Sequence, residues 1–252
     1  MITTILLLLL MQPLSATDIQ TSYPEKSAQL LEAVKAQHQS QIESLTQELA
    51  SVDPQTLADQ LDNDIKRKTF RINVYNSYII ILLRENPELY QDRDAFFKEP
   101  RVTIAGVELS FDDIEHGILR RSKVKLSLGL INKPFVGDYE EMMRVDEVDW
   151  HIHFALNCGA DACPPVEVYR TATLHDQLEN RAKLYLENNT TYNESANKVT
   201  VTPLMSWFRA DFGGTTGTRE ILKSFSLIPQ DSSPTVEYKD YDWTLDIDNF
   251  AN

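Results

Sequence analysis

Along residues 27–49 apolar side chains recur at Leu30, Leu31, Val34, Ile42, Leu45 and Leu49 with Gln, Glu and Lys between them, which predicts one surface helix packed by a single stripe. Asp53-Pro54 resets the chain: Asp53 is placed to cap a second helix that carries Pro54 in its first turn and runs to about Asp64. Residues 69–86, TFRINVYNSYIIILLREN, are apolar nearly all round and predict a buried central helix, ended by Asn86-Pro87. Val102, Ile104 and Val107 alternate around Gly106 as in a short hairpin. Ser110 is a good N-cap for a helix over 111–121, with Asp112 and Asp113 at its positive end and Arg120 and Arg121 at its negative end.

Residues 123–147 show no period and read as loop with short pieces of structure. WHIHFALN (150–157) alternates as a strand, followed by a turn at GADACPP (159–165). Leu174, Leu178, Ala182 and Leu186 fall at helical spacing within 169–187. NNTTYNES is then a polar connection, NKVTVTPL a strand, LMSWFRADFGG a helix closed by Gly213-Gly214, TREILKSFSLI a last helix and TVEYKDYDWTLDI a last pair of extended segments. The sum is an α+β fold, a single mostly helical domain around a small antiparallel sheet.

The chain opens MITTILLLLLMQPLSA, too short an apolar run to cross a bilayer but suited to a secretory leader cleaved after about Ala16. That predicts a periplasmic or secreted protein with no membrane span once the leader is gone. The remainder divides into a helical segment, 17–65, packed on a domain of residues 66–252. Lys plus Arg number 24 against 38 Asp plus Glu, and the net charge of −14 argues against nucleic acid as a partner. A small molecule or peptide is the expected partner, and no cofactor is implied.

Five ordered stretches carry a family resemblance: INVYNSYII (72–80), FDDIEHGILR (111–120), IHFALNCGADACPPVEVY (152–169), LMSWFRADF (204–212) and YDWTLDI (241–247). Together they resemble domain-of-unknown-function family 547 (DUF547) across about 66–248, a family whose name concedes that its function is not established. Two positions depart from the family pattern. Arg71 stands where the family usually has an aromatic residue, and His151 where it tends to have Arg, so charge near the candidate site is altered at both.

Residues 151–166, HIHFALNCGADACPPV, hold two of the five histidines and both cysteines. Three chemistries fit them. A thiol hydrolase or acyltransferase would use Cys158 as nucleophile, His153 as base and Asn73 or Asn76 to orient that base, with backbone N–H groups of 159–162 as an oxyanion hole. His116 is the alternative base and Cys163 the alternative thiol, less suited because Pro164-Pro165 stiffens it. A binding module would instead lock the same loop with a Cys158–Cys163 disulfide, worth on the order of 2 kcal/mol and redox-labile. A zinc site would draw on His151, His153, His116, Asp161 and the two cysteines, although the spacing matches no familiar zinc pattern. Asn73 and Asn76 have a further reading, as buried amides that brace the FALN segment.

Overall fold

A computed structural model describes residues 21–251; the predicted leader lies outside the described residues. The stripe over 27–49 is carried by two helices, α1 (Tyr23–Lys35) and α2 (Gln39–Ser51). Between Val34 and Ile42 the chain offers only polar residues and Ala36, so nothing there rewards a continuous helix. Instead Gln37 takes a positive φ of 57° and α2 folds back onto α1. The short α3 (Pro54–Gln60) starts at Asp53, whose carboxylate accepts the Thr56 N–H at 2.9 Å.

The long α4 (Asp64–Glu85) is the centre of the molecule. Phe70, Ile72, Val74, Tyr75, Ile79, Ile80 and Leu83 are buried around its circumference, and α1 packs along it. The helices dominate as predicted, but the core is organised on α4 rather than on a sheet. A short α5 (Arg93–Lys98) leads into a hairpin of β1 (Val102–Ile104) and β2 (Val107–Leu109), turned by Ala105 and Gly106, both at positive φ. Next comes the π-helical turn Asp113–Leu119, then the short α6 (Asp138–Met143).

WHIHFALN is not a strand. Trp150–Phe154 is a 3₁₀ helix, with Ile152 N–H bonded to Asp149 O and Ala155 N–H to Ile152 O. Asp149 decides the outcome: its carboxylate accepts the His151 N–H at 3.2 Å, and Ile152, His153 and Phe154 are then all buried in succession. After α7 (Leu174–Asn189) come β3 (Thr191–Asn193), β4 (Lys198–Val201), α8 (Leu204–Trp207), α9 (Gly214–Ser224) and β5 (Thr235–Tyr238). The three-stranded sheet β3-β4-β5 is mixed, because β4 and β5 run parallel. The C-terminal segment is a strap: Asp246 N–H bonds to Gly159 O, Asp161 N–H to Thr244 O and Ala162 N–H to Asp242 O, fastening it over the turn of 159–162. No helix among the described residues is long and apolar enough to cross a membrane.

Candidate functional site

Ser110 caps the turn as predicted, and Asp113 returns the bond to make a capping box. Ser110 Oγ accepts the Asp113 N–H at 3.0 Å and Asp113 Oδ2 accepts the Ser110 N–H at 2.9 Å. The turn that follows is wider than an α-helix: Arg120 N–H bonds to Glu115 O and Ser122 N–H to Gly117 O, each five residues back. This stretch supplies Asp112, Glu115, His116 and Arg120.

Arg120 is fully buried and committed on two sides. Its Nε and Nη2 donate to Asp211 Oδ2 and Oδ1 at 2.6 and 3.2 Å, and its Nη1 donates to His116 Nδ1 at 2.8 Å. The same Asp211 Oδ2 takes His153 Nε2 at 2.9 Å, so the His153 proton sits on Nε2 and Nδ1 is left as a buried acceptor with no partner among the described residues. Phe208 stacks on the His153 ring at 3.8 Å. Burial lowers His153 to about 4 despite its bond to Asp211, and burial with the Arg120 charge lowers His116 to about 2. Both imidazoles are therefore neutral at neutral pH. Burial pushes Asp211 up, yet the bonds from His153 and Arg120 more than offset it and the carboxylate stays ionised.

Cys158 and Cys163 are joined by a disulfide. Cys163 is buried, whereas Cys158 faces a cavity of about 370 Å³. Aromatic rings of Tyr75, Phe97, Trp207, Phe208, Tyr241 and Trp243 make much of its wall, and Asp112, Glu115, His116, Lys125 and His153 bring the polar groups. Lys125 is neutralised by Asp112 at 2.8 Å. Glu115 receives no hydrogen bond from any described residue, and burial raises it to about 7 against the opposing pull of Arg120.

The structure thus brings Cys158, His153 and His116 to one cavity and leaves the other predicted residues out of it. Asn73 does not orient a histidine: its side chain donates to Tyr169 O at 2.9 Å and accepts the Tyr169 N–H at 3.0 Å. Asn76 likewise donates to Ala155 O and accepts the Asn157 N–H, both at 2.9 Å. These are the bracing roles, with Asn76 on the FALN segment. The residue that holds the His153 ring is Asp211, which lies 58 residues away in sequence and carries no local signal of that role.

Cys163 is no alternative thiol, being spent in the disulfide, and no imidazole among the described residues hydrogen-bonds either sulfur. The oxyanion hole is also absent in this state. The N–H of Gly159 goes to Asn157 Oδ1, that of Ala160 to Cys163 Sγ, and those of Asp161 and Ala162 to the C-terminal strap. Among the described residues no group of His, Cys, Asp and Glu is arranged to hold a metal ion. The two departures from the family pattern fall outside the cavity as well. Arg71 is buried against Phe70 and Tyr139, and His151 stacks on Trp150 between Asp149 and Glu179.

No curated protein and no solved structure matches the chain. The family described as "Protein of unknown function, DUF547" matches residues 58–186, a span that holds α4, the π-helical turn and the disulfide loop but stops short of Asp211 and Tyr241. With half of its length accounted for in this way, the chain belongs to the DUF547 family.

Proposed function

We propose that this domain is a binding module for a small organic cation, an amine on an apolar or aromatic body, held in the cavity beside the disulfide loop. The observation that carries the reading is Glu115, a carboxylate on the wall of an aromatic cavity with no hydrogen bond from any described residue. An ammonium group supplies both the charge and the donors that Glu115 lacks. The faces of Trp207, Phe208, Tyr241 and Trp243 take the body of the ligand, and cation–π attraction adds about 0.5–2 kcal/mol. Lys125 does not compete, since Asp112 neutralises it. The net charge of −14 draws cations toward the protein. The disulfide keeps the loop wall preformed, which lowers the ordering cost of binding. That bond, together with the predicted leader, supports placing the protein in an oxidising compartment.

Titration calorimetry with phenethylamine and hydrocinnamate, matched in body and opposite in charge, tests the reading. The amine is expected to bind saturably and to lose that binding in Glu115→Gln. Equal binding of the two compounds, or amine binding that survives the substitution, would overturn it.

One observation favours a second, catalytic reading. Asp211 holds His153 Nε2 and leaves Nδ1 bare in a residue lining the cavity that Cys158 also faces. Reduction of the disulfide would set a thiol, a base and an orienting carboxylate around one space, the inventory of a thiol-dependent hydrolase or acyltransferase. Ester hydrolysis that appears only after reduction, and vanishes in Cys158→Ala, is the outcome this reading requires.

A further inference from the structure

The two sulfurs of the disulfide are unequal. Cys163 Sγ is buried and accepts three donors: the N–H of Cys158 at 3.0 Å, the N–H of Ala160 at 3.3 Å and the hydroxyl of Tyr241 at 3.3 Å. Cys158 Sγ faces the cavity and, among the described residues, meets only the Tyr241 hydroxyl, at 3.5 Å. A disulfide sulfur is a weak acceptor and gains little from three donors, whereas a thiolate gains a great deal. The donors therefore converge where negative charge would appear if the bond were cleaved from the Cys158 side, which is also the side that the cavity leaves accessible.

We propose that the Cys158–Cys163 disulfide is a redox-active centre that exchanges with a small thiol entering the cavity. The incoming thiolate attacks Cys158 Sγ. A new sulfur–sulfur bond forms there, the Cys158–Cys163 bond breaks, and its electron pair leaves on Cys163 Sγ among the three donors. A second molecule of thiolate then attacks the outer sulfur of the mixed disulfide, giving the external disulfide and the Cys158 thiolate. Two small thiols are oxidised, one protein disulfide is reduced, and the two thiol protons end on the protein sulfurs or in solvent. The substrate class follows from the cation-binding reading on which this part rests: an aminothiol is preferred over a neutral or an anionic thiol.

The unreduced protein is incubated with cysteamine, mercaptoethanol or mercaptopropionate, acid-quenched, alkylated and peptide-mapped. Each rate is divided by that thiol's rate with an unconstrained linear disulfide. The expected map carries the thiol adduct on Cys158 and the alkyl label on Cys163, with cysteamine the fastest of the three. Tyr241→Phe removes one donor to the leaving sulfur and is expected to slow adduct formation roughly tenfold. Adducts on Cys163, adducts divided evenly between the cysteines, or a disulfide inert to all three thiols would overturn the proposal. Inertness in a protein that still binds phenethylamine removes the exchange chemistry alone. Exchange confined to Cys158 without preference for cysteamine supports the exchange chemistry and removes the cation reading alone.

Discussion

Arg120 and Asp211 form a two-bonded ion pair sealed from solvent, with Nε on Oδ2 at 2.6 Å and Nη2 on Oδ1 at 3.2 Å. The pair joins the end of the π-helical turn to the segment after α8, 91 residues further on. Because Asp211 also holds His153 and Arg120 also holds His116, one carboxylate and one guanidinium set both imidazoles of the cavity.

Removing one partner leaves the other charge buried and uncompensated, which costs far more than the intact pair contributes. Asp211→Ala is expected to destabilise the fold by about 3–5 kcal/mol in urea unfolding. A loss below about 1 kcal/mol would mean that Arg120 finds another partner or water.

Gly129 is fitted to the same pair. Its φ is +83°, and a Cβ there would lie 2.5 Å from Asp211 Oδ1 and 2.9 Å from Arg120 Nη2. Gly106 shares the left-handed conformation, at φ +72°, but has open space around it. Both Gly→Ala substitutions carry backbone strain of about 1 kcal/mol, and only the one at Gly129 adds a clash, so it is expected to cost about 1–3 kcal/mol more in thermal unfolding. Equal costs would show that the loop yields freely.

Arg71 offers the opposite case. It is fully buried, its Nη2 donates to Tyr139 at 3.0 Å, and its Nε and Nη1 have no partner among the described residues. Arg71→Met keeps the packing volume and removes a charge that no described carboxylate pairs, so stability is expected to hold or to rise by up to about 2 kcal/mol. A loss beyond about 1 kcal/mol, read from the urea midpoint at unchanged slope, would contradict this.

The pH dependence has a defined sign. His153 is lowered to about 4 from an ordinary 6.5 by burial, so the unfolded chain gains a proton that the folded chain refuses. Its contribution is complete above about 6.5 and is lost as pH falls toward about 4. Glu115, raised by burial, acts in the other direction between 4.5 and about 7, so the histidine is isolated by difference. The stability gap between the wild type and His153→Asn, from urea unfolding, is expected to narrow between about pH 7 and about pH 5. A constant gap would show that His153 is not held neutral.

Local signals in the sequence predict the structure where one short segment decides the outcome. The Asp53 cap, the Ser110 N-cap, the Gly106 hairpin and the all-round apolar α4 all form. The segment at 150–157 departs from the strand that its alternation predicts, because that alternation suits a buried 3₁₀ turn as well, and the arbiter is the single carboxylate of Asp149. The site was half legible: Cys158, His153 and His116 share the cavity. Asp211 was not, since its partners lie 58 and 91 residues away and no spacing rule reaches that far. Nor was Tyr241, which reaches the sulfurs only because the C-terminal strap is fastened over the 159–162 turn.

That Glu115, a carboxylate with no hydrogen bond from any described residue, awaits a cation in its aromatic cavity is tested most directly by calorimetric titration of phenethylamine into the wild-type protein on either side of about pH 7, to which burial raises Glu115. Ionised Glu115 binds ammonium and the protonated acid does not, so affinity is expected to rise several-fold from about pH 6 to about pH 8, with proton release on binding that disappears in Glu115→Gln. An affinity that is flat across that range, or that falls as pH rises, would contradict the account.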